Sequence, residues 1–172
     1  LLAFVLSEPL PALAGTLISK ESRWLTWSGA KNPSRQLHAW TQADFMDDAW
    51  EQSPAPFRYG DGVGGTLIPG MQNAFPCYFL RRTFSITAVE QVEDLELNMD
   101  FDDGFAVWLN GAEVLRVNAP ANLSYNGMAP ANHESGTFES FSLGNAIEHL
   151  VEGQNLLAIQ GFNVNLSSSD FM

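Results

Sequence analysis

The run from Asp100 to Asn118, Asp-Phe-Asp-Asp-Gly-Phe-Ala-Val-Trp-Leu-Asn-Gly-Ala-Glu-Val-Leu-Arg-Val-Asn, constrains this chain more than any other stretch. Asp102-Asp103-Gly104 and Asn110-Gly111 are both hairpin signals, because Gly, Asn and Asp tolerate the positive φ that two-residue turns require. Between them Phe105, Val107 and Leu109 alternate with Ala106 and Trp108, the period of a strand. Val114 and Val117 flank Leu115 and Arg116 in a further extended run. The pattern predicts three strands joined by two tight turns.

The remaining chain extends that pattern. Ser22 to Ser28 is rich in β-formers, Tyr78 to Ile86 reads as a strand with Arg81 and Arg82 on its exposed face or edge, and Val92 to Phe101 places Leu95, Leu97 and Met99 on one face. Phe138 and Phe141 mark another strand, Leu156 to Val164 the last clear one, and Phe171 the start of one more. Thr41 to Trp50 suits a short helical turn capped by Thr41. Gly144 to Gly153 suits another, ending at Gly153. Prolines and glycines between Ser53 and Gly70 forbid long elements, and Asn118 to Gly136 lacks a hydrophobic pattern. Short strands, frequent turns and almost no helix predict an all-β fold, an antiparallel two-sheet sandwich.

A chain of 172 residues fits one domain with a sizeable core. Its formal net charge of −12 repels phosphate backbones, which argues against a nucleic-acid partner. Cations, neutral polymers and basic partners stay open. Aromatics make up 12%, five of them Trp, which suits either sandwich packing or stacking on sugars. Trp24, Trp27 and Trp108 sit in strand patterns and are expected in the core, and Trp50 is expected to plug one end. Trp40 is the aromatic most free to serve a ligand. Cys77 is the sole cysteine, so it forms no intramolecular disulfide and reads as a small buried apolar residue.

The apolar start, Leu1 to Leu6, and Ala12-Leu13-Ala14 resemble a signal segment, but Glu8 and Pro9 interrupt it and no basic residue precedes it. The favoured reading is a piece of a larger protein, with residues 1–19 as a lead-in and 20–172 as the domain. No apolar run approaches the ~20 residues of a membrane helix.

The chain resembles the galactose-binding-like jelly-roll domains of large secreted bacterial proteins. The matching pieces are Tyr78-Phe79-Leu80-Arg81-Arg82-Thr83-Phe84, Asp102-Asp103-Gly104 with Asn110-Gly111, Asn155 to Ile159, and Ser168-Ser169-Asp170-Phe171. Met46-Asp47-Asp48-Ala49-Trp50 is similar to the Asp-Asp-Ser-x-Trp turn of sugar-binding domains in β-galactosidase-like enzymes, one residue shorter and without the Ser. The resemblance implies a jelly roll that binds carbohydrate beside neighbouring domains, without catalysis and without inserting in a membrane, in an extracellular or cell-surface protein. A structural or interaction sandwich with no sugar site is the alternative.

Strand parity locates a site independently of that resemblance. Successive antiparallel strands reverse, so loops alternate between the two ends of the sandwich. One end then gathers Asp61, Asp102, Asp103, Asn118, Tyr125, His133, Asn163 and Asp170. Carboxylates and amide oxygens at one rim suit Ca²⁺, which takes about six to eight oxygens, with Asp102, Asp103 and Asp170 as the metal ligands. They equally suit sugar hydroxyls, with Tyr125 or Phe162 to stack on a pyranose. The plainer reading makes Asp102 and Asp103 turn formers, Ser167 to Asp170 a local network, and His133 a solvated loop residue. No pair of carboxylates is placed for glycoside hydrolysis, and neither a Gly-x-Ser-x-Gly elbow nor a His-Glu-x-x-His metal motif occurs.

Overall fold

The computed structural model describes residues 15–172, so of the expected 1–19 lead-in only 15–19 fall among the described residues. Ten strands follow: β1 (Arg23–Ser28), β2 (Glu51–Pro54), β3 (Phe57–Arg58), β4 (Thr66–Leu67), β5 (Cys77–Ile86), β6 (Glu96–Met99), β7 (Gly104–Leu109), β8 (Ala112–Val117), β9 (Glu139–Ser142) and β10 (Gly153–Phe162). Six of them form one antiparallel sheet in the order β2-β1-β5-β10-β7-β8. The ten-residue pairing of β5 with β10, from Gly153↔Ile86 to Phe162↔Cys77, is its spine.

The second layer is made of two short sheets, a parallel β3–β4 pair and an antiparallel β6–β9 pair. The fold is an all-β sandwich whose large sheet is covered on both faces. Strand alternation in β7 sends Phe105, Val107 and Leu109 into one core, with Trp24, Phe57, Ile86, Phe101, Leu157 and Ile159. Ala106 and Trp108 enter the other, with Trp40, Trp50, Cys77, Phe79, Leu123 and Phe162. Long loops rather than strands close this second face. The second layer leaves an open apolar cleft of about 1460 Å³ against the large sheet, with Leu17, Val63 and Phe138 among its lining residues.

Several expectations need correction. Asp102-Asp103-Gly104 is not a hairpin, because β6 pairs with β9 while β7 lies between β10 and β8. The segment instead carries the chain from the small sheet to the large one, and the Asp103 N–H donates to the Phe162 carbonyl. Asn110-Gly111 is the expected hairpin, with φ of 51° and 88°. Thr41 to Trp50 forms no helix. A single 3-10 turn spans Ala39–Thr41, and Thr41 Oγ1 donates back to the His38 carbonyl at 2.8 Å.

Arg81 is buried at 2% exposure rather than surface-facing, because β5 is an inner strand. Gly153 opens β10 with φ of 87° instead of capping the Gly144–His149 turn, which ends at Leu150. Phe171 forms only an isolated bridge with Tyr59. Trp40 is 2% exposed, locked edge-on against Phe79 and Trp108 and stacked on Trp50, so it is core and not a free ligand aromatic.

Candidate functional site

Asp102 and Asp103 leave β6 side by side but do different work. Both Asp103 carboxylate oxygens are taken by backbone: Oδ1 accepts from the His133 N–H at 2.8 Å and Oδ2 from the Val164 N–H at 2.7 Å. Asn118 Nδ2 donates to the Asp103 and Ala131 carbonyls. Asp103 and Asn118 therefore tie three loops together and have little left to offer a ligand. This is the local turn chemistry that the sequence allowed, carried out over long range.

Asp102 points elsewhere. Its carboxylate meets those of Glu134 and Asp170, with one oxygen from each lying within 4.8 Å of the others. Three separate segments supply them: the β6–β7 crossing, the long loop after β8 and the chain after β10. Asp102 is 3% exposed and Glu134 is exposed, so the cluster runs from the interior to the surface. Burial, then Asp103, Asp170 and Glu134, push the Asp102 carboxyl up to about 7, against which the nearby His133 pulls it down. A cation, or a retained proton, is what such a group calls for. Asp102, Glu134 and Asp170 are the residues that could hold a metal.

Around the cluster the polar groups are organised. Tyr59 donates to the Ser168 carbonyl at 3.1 Å, and Asn163 Nδ2 lies 2.6 Å from the Tyr59 hydroxyl. Burial, together with Asp170, Asp102 and Asp103, raises the Tyr59 phenol, which places that ring beside the carboxylates. Asn163 Oδ1 is buried with no hydrogen-bond partner among the described residues. A buried oxygen acceptor on the residue that bonds the Tyr59 hydroxyl adds a hard-oxygen donor to this end of the fold.

His133 is not a solvated loop residue. Its ring stacks on Phe101 with centroids 4.0 Å apart, Nδ1 lies 3.1 Å from the Phe101 carbonyl, and Nε2 is 2.7 Å from Glu139. It braces the rim from below. Asp61 is exposed and lies outside the triad, although Gly60 beside it packs on Ser169 and Asp170. Tyr125 is 37% exposed on a turn whose Ser124 carbonyl accepts from Gln160, over the second core and away from the triad. Phe162 is fully buried and cannot stack on a sugar. Glu134 was missed by sequence reasoning: it lies in the patternless Asn118–Gly136 loop, and its neighbour His133 was the only visible cue.

No family model matches this chain, and no curated protein matches it. Solved structures do. A Ruminococcus gnavus β-glucuronidase aligns over 92% of this chain and 24% of its own, with 13% identity and a TM-score of 0.53. A calcium-binding mutant of Bacteroides uniformis β-glucuronidase 2 aligns over 84% of this chain and 14% of its own, with 15% identity and a TM-score of 0.53. A glycosyl hydrolase family 2 member from Bacteroides cellulosilyticus aligns over 84% and 17%, with 19% identity and a TM-score of 0.52. The likeness is one of fold. The chain spans a quarter or less of the length of these enzymes. Among the described residues no helix is long and apolar enough to cross a membrane.

Proposed function

We propose that this chain is a non-catalytic, carbohydrate-binding β-sandwich domain of a larger, exported bacterial protein. The observation that carries the reading is the convergence of Asp102, Glu134 and Asp170 at one rim, from three segments distant in sequence. Support for the larger chain comes from the small share of the β-glucuronidase and glycosyl hydrolase family 2 chains that the fold matches. Ca²⁺ is the proposed ion, since the donors are all hard oxygens, and it would neutralise the carboxylates and offer further positions to sugar hydroxyls. The chain's own residues fix the donors: Asp103 and Asn118 hold the loops in register, and His133 with Glu139 braces the segment that carries Glu134.

A second reading has its own observation. The open cleft beside the large sheet exposes Leu17, Val63 and Phe138, with Val63 at 87% exposure, and suits packing against a neighbouring domain.

Thermal unfolding after EDTA treatment, then with Ca²⁺ restored, then with a panel of oligosaccharides, tests the proposal, because a ligand of the native state raises the melting temperature. The expected result is a Ca²⁺-reversible rise, absent in Glu134→Gln, and a further sugar-specific rise. No shift with either addition would leave the domain as a packing module.

A further inference from the structure

A second polar site lies on the large sheet, away from the acidic rim. β1 and β5 pair from Ser28↔Tyr78 only as far as Leu25↔Arg81. Beyond that point the Arg82 guanidinium fills the fork between them, donating through Nη1 to the Arg23 carbonyl. A pocket of about 240 Å³ opens there, lined by Arg23, Asp47, Gln52, Arg81, Arg82 and Thr83, with Leu25 and Leu156. Three of the chain's arginines thus meet one carboxylate, in a protein whose net charge is −12.

The donors are unevenly used. Arg81 is spent: Nε pairs with Asp47 at 2.9 Å, and Nη1 donates to the Trp40 and Gln42 carbonyls. Arg23 uses Nη2 on the Gln52 carbonyl at 2.9 Å. Arg82 Nε is buried with no acceptor among the described residues. An unpaired buried donor of a charged group is costly, so a ligand that supplies its acceptor is favoured. Thr83 and Gln52 add an exposed hydroxyl and amide at the mouth.

We propose that the fork between β1 and β5 is an anion site that takes a small carboxylate, held between the Arg82 and Arg23 guanidinium groups. A carboxylate matches the planar fork of arginine with two oxygens. Leu25 and Leu156 give the ligand's carbon skeleton an apolar wall. The carboxylate belongs either to a free acid or to a uronosyl residue, and both share the same recognition chemistry. This site does not depend on the acidic rim.

Titration of the 172-residue chain with acetate, D-glucuronate, D-glucose and chloride at matched ionic strength, followed by NMR, tests the site. Acetate and glucuronate should shift the Arg23, Arg82 and Thr83 amides, while glucose and chloride should not. Tighter binding of glucuronate than of acetate assigns the acid to a sugar, and equal binding assigns it to any small acid. Arg23→Gln, an exposed change that spares the fold, should weaken acetate by about tenfold, the loss of one charge-assisted hydrogen bond. Arg82→Gln should abolish binding. Absence of carboxylate-specific shifts at the fork would overturn the proposal. So would an acetate affinity left unchanged by Arg23→Gln, or shifts that an acidic peptide produces while both free acids fail.

Discussion

At the scale of single residues, Asn155 is among the most heavily committed side chains of the described residues. It has no exposed surface, its Oδ1 accepts from Asn110 Nδ2 and the Val151 N–H, and its Nδ2 donates to the Val151 and Gly153 carbonyls. Asn110 in turn accepts from the Leu156 N–H and donates to the His149 carbonyl, so one amide pair joins the hairpin, the 3-10 turn and the start of β10. Asn155→Ala removes the partner of the Val151 and Gly153 backbone groups and of Asn110 Nδ2 at once, and should cost about 1–3 kcal/mol in urea unfolding. A loss below about 0.5 kcal/mol, the level of an ordinary surface change, would mean that water replaces the amide. Cys77 belongs to the same scale. Burial pushes its thiol up to about 12, and Sγ lies 3.1 Å from the Gly127 carbonyl, so it should resist a thiol reagent in native protein and react only as the chain unfolds.

Among elements, the Asn110-Gly111 hairpin shows what local sequence can fix. Both residues take positive φ, and a Cβ on Gly111 would stand 2.2 Å from Gln42 Nε2. Gly111→Ala should therefore destabilise the fold by about 1 kcal/mol or more, most of it backbone strain, measured as a fall in the urea midpoint at unchanged slope. The same chemistry misled at Asp102-Asp103-Gly104. There the turn residues are present, but their carboxylates are drawn to His133, Val164, Glu134 and Asp170, 30 or more residues away in sequence, and nothing local records that. β1, β5, β7, β8 and β10 were legible because each carries several β-formers in period two. β2 (Glu-Gln-Ser-Pro) was not, since its pairing with β1 rests on backbone and not on side-chain pattern. The burial of Arg81 was hidden for a related reason: an arginine reads as surface until Asp47 and two carbonyls from a distant loop are brought to it. Removing that head group, as in Arg81→Met, leaves Asp47 unpaired at the edge of the second core. It should lower stability by about 3 kcal/mol, read by urea unfolding.

For the molecule as a whole, loop parity was the part of the candidate site that a sequence could supply, because antiparallel reversal alone sends the 102–104, 118–136 and 163–170 segments to one end. Which carboxylates then touch depends on loop conformation, and so Glu134 replaced Asp103. The energetic consequence is global. In the absence of metal the folded chain holds the Asp102 proton up to about 7, whereas an unfolded aspartate releases it near 3.8. Between those values the folded state binds more protons than the unfolded one, so stability falls as pH rises through this window and levels off above it. In EDTA the melting temperature should therefore drop from pH 5 to pH 7.5, by a few degrees given the size of the domain. Asp102→Asn, which carries no ionisable group at that position, should flatten the profile. Ca²⁺ bound to the cluster needs the ionised carboxylates, so it should restore stability at pH 7.5 and have little effect at pH 5. A wild-type profile in EDTA that is flat or rising over this range would show that Asp102 is not held buried beside the other two carboxylates. A falling profile that Ca²⁺ leaves untouched would keep the cluster and remove the ion, because protonation alone would then account for how the rim tolerates its charge.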